Sequence, residues 1–151
     1  MQIRQATYRD APAIRILLDT LGYKTSISLI INQLENMFGG KNDQVFVYEL
    51  QKEVVGAIAI HYLPQLAVNG ELVLISYLAV EDTMQGHGVG KALEEFVCQQ
   101  ALLRKCEQIQ VHCSEWRVPA HKFYENQGYQ DYPKYFTKRL VVENPSSDNK
   151  K

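Results

Sequence analysis

Apolar positions recur along this chain at two different periods, and the switches between them divide it into elements. The opening MQIRQA suits a first strand. Ile14, Leu17, Leu18 and Leu21 then recur at helical spacing, behind Thr7 and Asp10 in the TxxD pattern of a capping box and ahead of Gly22 as a stop. A second helix is predicted from about Ser26 to Phe38, where Ile27, Ile30, Ile31, Leu34, Met37 and Phe38 share one face, and GGKND ends it. QVFVYEL and VVGAIAIHYL are β-branched and aromatic runs on either side of QKE, the pattern of an antiparallel hairpin. Asn69-Gly70 marks another turn, and ELVLISYLAV is mostly apolar on both faces, as in a buried central strand. Val89, Leu93, Phe96, Val97 and Leu103 predict a third helix, and QIQVHC a fifth strand. A short helix entered at Pro119 and closed by Gly128 follows, then KYFTKRLVV as a last strand. The predicted order is βααβββαβαβ, an α/β (α+β) fold with a mixed central sheet flanked by helices.

At 151 residues the chain suits one globular domain, over 1–142, and the polar ENPSSDNKK (143–151) is expected to be a disordered tail. Its 16 basic and 17 acidic residues nearly cancel, so nothing favours nucleic acid or an acidic membrane as partner. A charged N-terminus without an apolar segment, and no run long enough to span a bilayer, point to a cytoplasmic protein. Cys98, Cys106 and Cys113 are odd in number and lack CxxC spacing, which suits reduced thiols rather than disulfides or a metal site.

The candidate chemistry begins with MQGHGVGKAL, which sets three glycines at alternate positions between a strand and a helix. Alternating glycines strip side chains from a loop, so backbone N–H groups can close round an anion at the positive end of the helix dipole. A Walker A loop is excluded, because Gln85 stands at its first glycine and Ala92 follows Lys91 where Ser or Thr is needed. GxGxxG also fails, since its third glycine would fall on Lys91 or Leu93. Gln85, Gly88 and Gly90 instead meet Q/RxxGxG/A. Well separated from it, Ala120, Phe123, Tyr124, Gly128 and Tyr129 match AxxFYxxxGY.

With these two motifs and the predicted element order, the chain resembles the GNAT N-acetyltransferase superfamily from Gln2 to about Val142. It looks most like small bacterial members that carry R..AH.FY...GY and a closing F.K.L, here Arg117, Ala120, His121, Phe136, Lys138 and Leu140. The resemblance implies that Gln85, Gly86, His87, Gly88, Val89, Gly90 and Lys91 wrap the pyrophosphate of acetyl-CoA. It also implies that the backbone of Leu78, Ala79 and Val80 pairs with the pantetheine arm, with an N–H near Leu78 facing the acetyl oxygen. Tyr124 matches the family's general acid, and a phenol is protonated at neutral pH yet close enough to a thiol to reprotonate a departing thiolate. A helix tyrosine that merely packs beneath the sheet would look the same. Arg117 stands near where many members place a cofactor-binding Asn, and Tyr23 lies where members shape the acceptor pocket. Where many members carry Glu on the central strand, this chain has Ser76 and Tyr77; Glu81, Asp82, His61 and His112 are the nearby alternatives for a base. The expected activity is acetyl transfer to a primary amine of a small molecule or peptide by direct attack in a ternary complex. An inactive acyl-CoA-binding sensor is the rival reading, and dimerisation is left open.

Overall fold

The computed structural model describes residues 2–112, 118–131 and 136–140. Backbone contacts group the chain into two compact units, Met1–Ser114 and Glu115–Lys151.

The first unit is built on one five-stranded sheet: β1 (Gln2–Gln5), β2 (Asp43–Leu50), β3 (Glu53–Pro64), β4 (Glu71–Val80) and β5 (Gln108–Val111), in spatial order β1-β2-β3-β4-β5. All neighbours are antiparallel except β4 and β5, which run parallel and therefore need a crossover. That crossover is α3 (Val89–Leu103). α1 (Ala11–Thr20) and α2 (Ile27–Phe38) lie between β1 and β2 in the chain.

Local signals place these elements. Thr7 and Asp10 do form the capping box: the Thr7 N–H donates to Asp10 Oδ2 at 2.8 Å, and the Thr7 hydroxyl accepts from the Arg9 N–H. A 3-10 turn, Tyr8–Asp10, carries this cap directly into α1. Ser26 caps α2, its Oγ accepting from the Leu29 N–H at 3.1 Å.

Apolar positions sort to the two faces of the sheet. Ile14, Leu17, Ile30 and Leu34 of α1 and α2 pack with Val45, Val47, Ala57 and Ala79 on one side. On the other, Val89, Leu93 and Val97 of α3 pack with Phe46, Ile58, Ile60, Val73 and Ile75. The buried line of α3 runs through Val89, Leu93, Val97 and Ala101. Leu103, expected on that face, is exposed instead, because it lies about 200° round the helix from Ala101. Arg104, just past α3, ties this end of the helix down: it donates to both carboxylate oxygens of Glu71 and to the Lys41 carbonyl, and covers the Tyr62 ring at 3.8 Å.

The second unit contains α4 (Val118–Asn126), with Pro119 in its first turn as expected. Its end is closed by N–H donation from Gly128 to the Glu125 carbonyl and from Tyr129 to the Tyr124 carbonyl. The last strand expected over 134–142 is not found where it can be seen, because residues 136–140 belong to no strand and Phe136 and Leu140 are exposed. Aromatic and β-branched residues such as Phe136 and Thr137 favour an extended chain, but a strand also requires a neighbour to pair with. The other residues of that segment, and the tail 143–151, lie outside the described residues.

Candidate functional site

β4 and β5 share register only from Leu72 with Gln108 to Ile75 with Val111. Beyond Ile75, β4 runs on through Val80 paired with β3 alone, so on the β5 side its backbone from Ser76 to Val80 has no strand partner among the described residues. Unpaired backbone of this kind can take up an added extended segment. Ser76 itself is an extra residue in the ladder: Ala59 pairs with Tyr77 and Ile60 with Ile75, which leaves Ser76 in a bulge.

The glycine loop leaves the end of this same strand. After Glu81 comes a short 3-10 turn, Asp82–Met84, then an exposed stretch to Gly88, and α3 starts at Val89. Gly86 and Gly88 have φ of +82° and +86°, where side chains are disfavoured, and a Cβ at either would point into open space. Both glycines therefore shape the loop; Gly90 sits in the first turn of α3. The first intrahelical bond of α3 runs from the Ala92 N–H to the Gly88 carbonyl at 3.0 Å. The N–H groups of Val89, Gly90 and Lys91 precede it, and α3 has no side-chain cap and no acidic residue in its first turn. The positive end of a 15-residue helix is thus left open toward any anion.

The loop is held from both sides. Gln85 Nε2 donates to the Val80 carbonyl at 3.4 Å, and the His87 N–H donates to the Met84 carbonyl at 3.2 Å. His87 is exposed, and Lys91 points along the helix toward Glu95, 4.0 Å away. The helix comes close to the strand end because of Gly56, the partner of Val80: a Cβ there would lie 2.7 Å from Val89 Cγ1 and 3.1 Å from Leu93 Cδ1.

On the face carrying α1 and α2, Tyr23 in the α1–α2 linker meets Tyr77 of β4 edge to face, with ring centroids 5.1 Å apart. Ser76 Oγ is 2.8 Å from His61 Nε2, and His61 Nδ1 is 2.7 Å from Asp43 Oδ1. Asp43 was not singled out in the sequence, although hairpin counting comes near it. From the QKE turn, 43 would fall opposite 60, but an extra residue at Val55 shifts the register so that Asp43 faces His61. Glu81, another candidate base, accepts instead from Thr83 Oγ1 at 3.0 Å. With Glu53 it lines a depression of about 280 Å³ beyond the strand end, whose carboxylates do not suit an anion.

Among the candidate site residues, Ser76, Leu78, Ala79, Val80 and 85–91 are thus brought together along one strand and the loop that follows it, with Tyr23 on the neighbouring linker. His112 follows β5. Tyr124 sits in α4 of the second unit, where its ring meets those of Phe123 and Tyr129 at 5.2 and 5.5 Å. Arg117 and Cys113 lie outside the described residues. Among the described residues no group of three or more His, Cys, Asp or Glu could hold a metal ion, and no helix is long and apolar enough to cross a membrane.

Comparison with known proteins extends this picture. The sequence model of the Acetyltransferase (GNAT) family matches residues 12–129. No curated protein sequence matches the chain. Many solved structures share its fold. A transcriptional regulator from Bacillus halodurans C-125 superposes with a TM-score of 0.83 at 21% identity, covering 92% of this chain and 99% of its own. A GNAT family acetyltransferase from Staphylococcus aureus gives 0.77 at 18% identity, covering 92% and 98%. An aminoglycoside acetyltransferase from an uncultured soil metagenomic sample, solved with trehalose, gives 0.78 at 23% identity, covering 93% and 96%.

Proposed function

The chain belongs to the GNAT acetyltransferase family, and from that premise we propose that it is an N-acetyltransferase, moving the acetyl group of acetyl-CoA to a primary amine by direct attack in a ternary complex. Members of the family generally use acetyl-CoA. The observation that carries the proposal is the continuity of the site: the β4 edge from Ser76 to Val80, free of β5, runs directly into a glycine loop at an uncapped helix N-terminus. One end suits an extended amide chain and the other a diphosphate, which is the shape of coenzyme A. Open space beside Gly86 and Gly88 fits close approach of such a group to the backbone.

Bound there, acetyl-CoA supplies an activated thioester carbonyl. The residues of this chain hold it. The N–H groups of Val89, Gly90 and Lys91, with the loop from Gln85 to Gly88 wrapped beside them, would take the phosphates, Lys91 would add positive charge at the rim next to His87, and Arg117 would add a further cation. The backbone of Leu78, Ala79 and Val80 takes the arm as an added strand, and the Leu78 N–H faces the carbonyl oxygen, where preorganised donation favours developing negative charge. Tyr124 gives the departing sulfur its proton, an assignment supported by its place in AxxFYxxxGY. Tyr23 and Ser76 border the acceptor, a small-molecule or peptide amine. Aminoglycosides belong among the amines tried, since a structurally similar protein acetylates them.

The test is thiol release from acetyl-CoA against a panel of amines, polyamines, amino acids, aminoglycosides and peptides. At least one should turn over. Tyr124→Phe should then lower kcat about 100-fold while the KM for acetyl-CoA stays within about twofold, because only the leaving-group proton is lost. The absence of a carboxylate at the Ser76–Tyr77 position favours one rival, a module that binds acyl-CoA without turning it over. Binding with no thiol release from any amine would establish that rival.

A further inference from the structure

β2, β3 and β4 each contribute one polar side chain to a short row at the centre of the sheet. Asp43 is in step with Val45 and Val47, and His61 with Ala57 and Ala59, so both lie on the face that carries α1 and α2. Ser76, the bulged residue of β4, meets them there. The contacts are short and sequential: 2.7 Å from Asp43 Oδ1 to His61 Nδ1, and 2.8 Å from His61 Nε2 to Ser76 Oγ.

The direction of the hydrogen bonds follows from chemistry. An ionised carboxylate only accepts, so Nδ1 carries a hydrogen, and in the neutral imidazole the Nε2 lone pair then faces the serine hydroxyl. The other acceptor within reach of that hydroxyl, the Ala59 carbonyl, is 3.4 Å away, at the outer limit for such a bond. Two further facts give the row a use. Ser76 opens the stretch of β4 that β5 leaves unpaired, two residues before Leu78. Its neighbour Tyr77 contacts Tyr23 of the α1–α2 linker, and both rings are exposed.

We propose that Asp43, His61 and Ser76 form a proton relay that serves as the general base of acetyl transfer, in place of a carboxylate on β4. The proposal rests on the acetyltransferase reading above. As the amine nitrogen bonds to the carbonyl carbon, its proton passes to Ser76 Oγ and the hydroxyl proton passes to His61 Nε2. The imidazolium is held against the Asp43 carboxylate. The carbon–sulfur bond breaks and the sulfur takes its proton from the general acid; His61 then releases its proton to water and the acid regains one from water, so that protons balance over the cycle. Ser76 touches the amine; His61 and Asp43 act through it as positioning and proton-accepting residues.

The test uses the full chain and the amine that turns over best. His61→Gln should lower kcat about 100-fold, leave the KM for acetyl-CoA and its stabilisation of the protein unchanged, and abolish the acidic limb of the kcat profile against pH, which reports the enzyme–substrate complex rather than the ionisation of the free amine. Ser76→Ala should match that loss. Asp43→Asn should lower kcat less and move the acidic limb to lower pH, because the imidazolium loses its counter-charge. Among the described residues, the groups that face His61 are Asp43 from β2 and Ser76 from β4, with the Tyr23 and Tyr77 phenols on the same face, so Tyr77→Phe should leave the limb in place. Wild-type kcat and an intact limb in His61→Gln or Ser76→Ala would overturn the relay while leaving the acetyltransferase reading standing. A wild-type protein that acetyl-CoA does not stabilise, or that turns over no amine, would overturn both.

Discussion

At the scale of single residues, a tightly held charge lies at the start of α1. Asp10 is 5% exposed. Burial pushes its carboxyl up, but hydrogen bonds from the Arg4 guanidinium and from Thr7 outweigh that and hold it below the usual carboxylate value. Both Arg4 terminal nitrogens reach it, at 2.8 and 2.9 Å, while Arg4 Nε reaches Glu49 at 2.8 Å. A carboxyl whose pKa is lower in the folded protein adds stability above its unfolded pKa of about 4, and that contribution is lost as pH falls through the folded value. Asp10→Asn should therefore lower stability by roughly 2 kcal/mol at pH 7. Urea unfolding of variant and wild type should show the gap at pH 7 closing progressively once the pH falls below the unfolded carboxylate value of about 4; an equal gap at neutral and acidic pH would contradict the ion pair. Cys98 makes a second case. Burial, with Glu94 accepting from its sulfur at 3.1 Å, pushes the thiol up to about 12, and burial raises Cys106 as well. At pH 8 a thiol reagent should label both at least tenfold more slowly in the native protein than in urea, as read by mass spectrometry of each site.

Among the elements, α3 is the piece whose placement matters most. Its N-terminus reaches the end of β4 only because position 56 carries no side chain, for Val89 and Leu93 occupy the space a Cβ would need. Gly56→Ala should force the helix outward, lower stability by about 1–3 kcal/mol and weaken acetyl-CoA binding with it. Gly88→Val acts differently, by placing a β-branched residue at a left-handed φ in an exposed loop, so binding should fall more than stability. Melting temperatures with and without acetyl-CoA separate the two effects. Much of this was legible in the sequence. Thr7 and Asp10 announced α1, because caps act through neighbours in the chain, and Ser26, read only as the approximate start of α2, proves to be its cap. The glycine loop was legible for the same reason. What stayed hidden depends on pairing at a distance. The extra residues at Val55 and Ser76 change the register of β3 against both neighbours, and only that shift sets Asp43 opposite His61 and Ser76 within reach. Polar and apolar alternation does not reveal such bulges.

For the whole molecule, chain order gave the mixed sheet correctly, since strand–loop–helix–strand predicts a parallel pair and β4 and β5 form one. The depth of that pairing was not legible. Where β5 stops against Ile75 decides where β4 becomes available to another extended chain, and no local pattern encodes it. The predicted last strand marks the same limit from the other side, because residues 136–140 have the pattern of a strand without belonging to one. The proposed activity thus rests on two features that the fold brings into line, a strand edge with no strand partner among the described residues and a helix N-terminus without a side-chain cap. The measurement that tests this most directly is thermal unfolding of the wild-type protein with acetyl-CoA, ATP or NAD. A ligand at about 100 times its Kd should add about 2.7 kcal/mol to the folded state, a rise of several degrees in Tm. Acetyl-CoA should produce that rise while ATP and NAD leave Tm unchanged, and a protein that acetyl-CoA does not stabilise would contradict the assignment of the site.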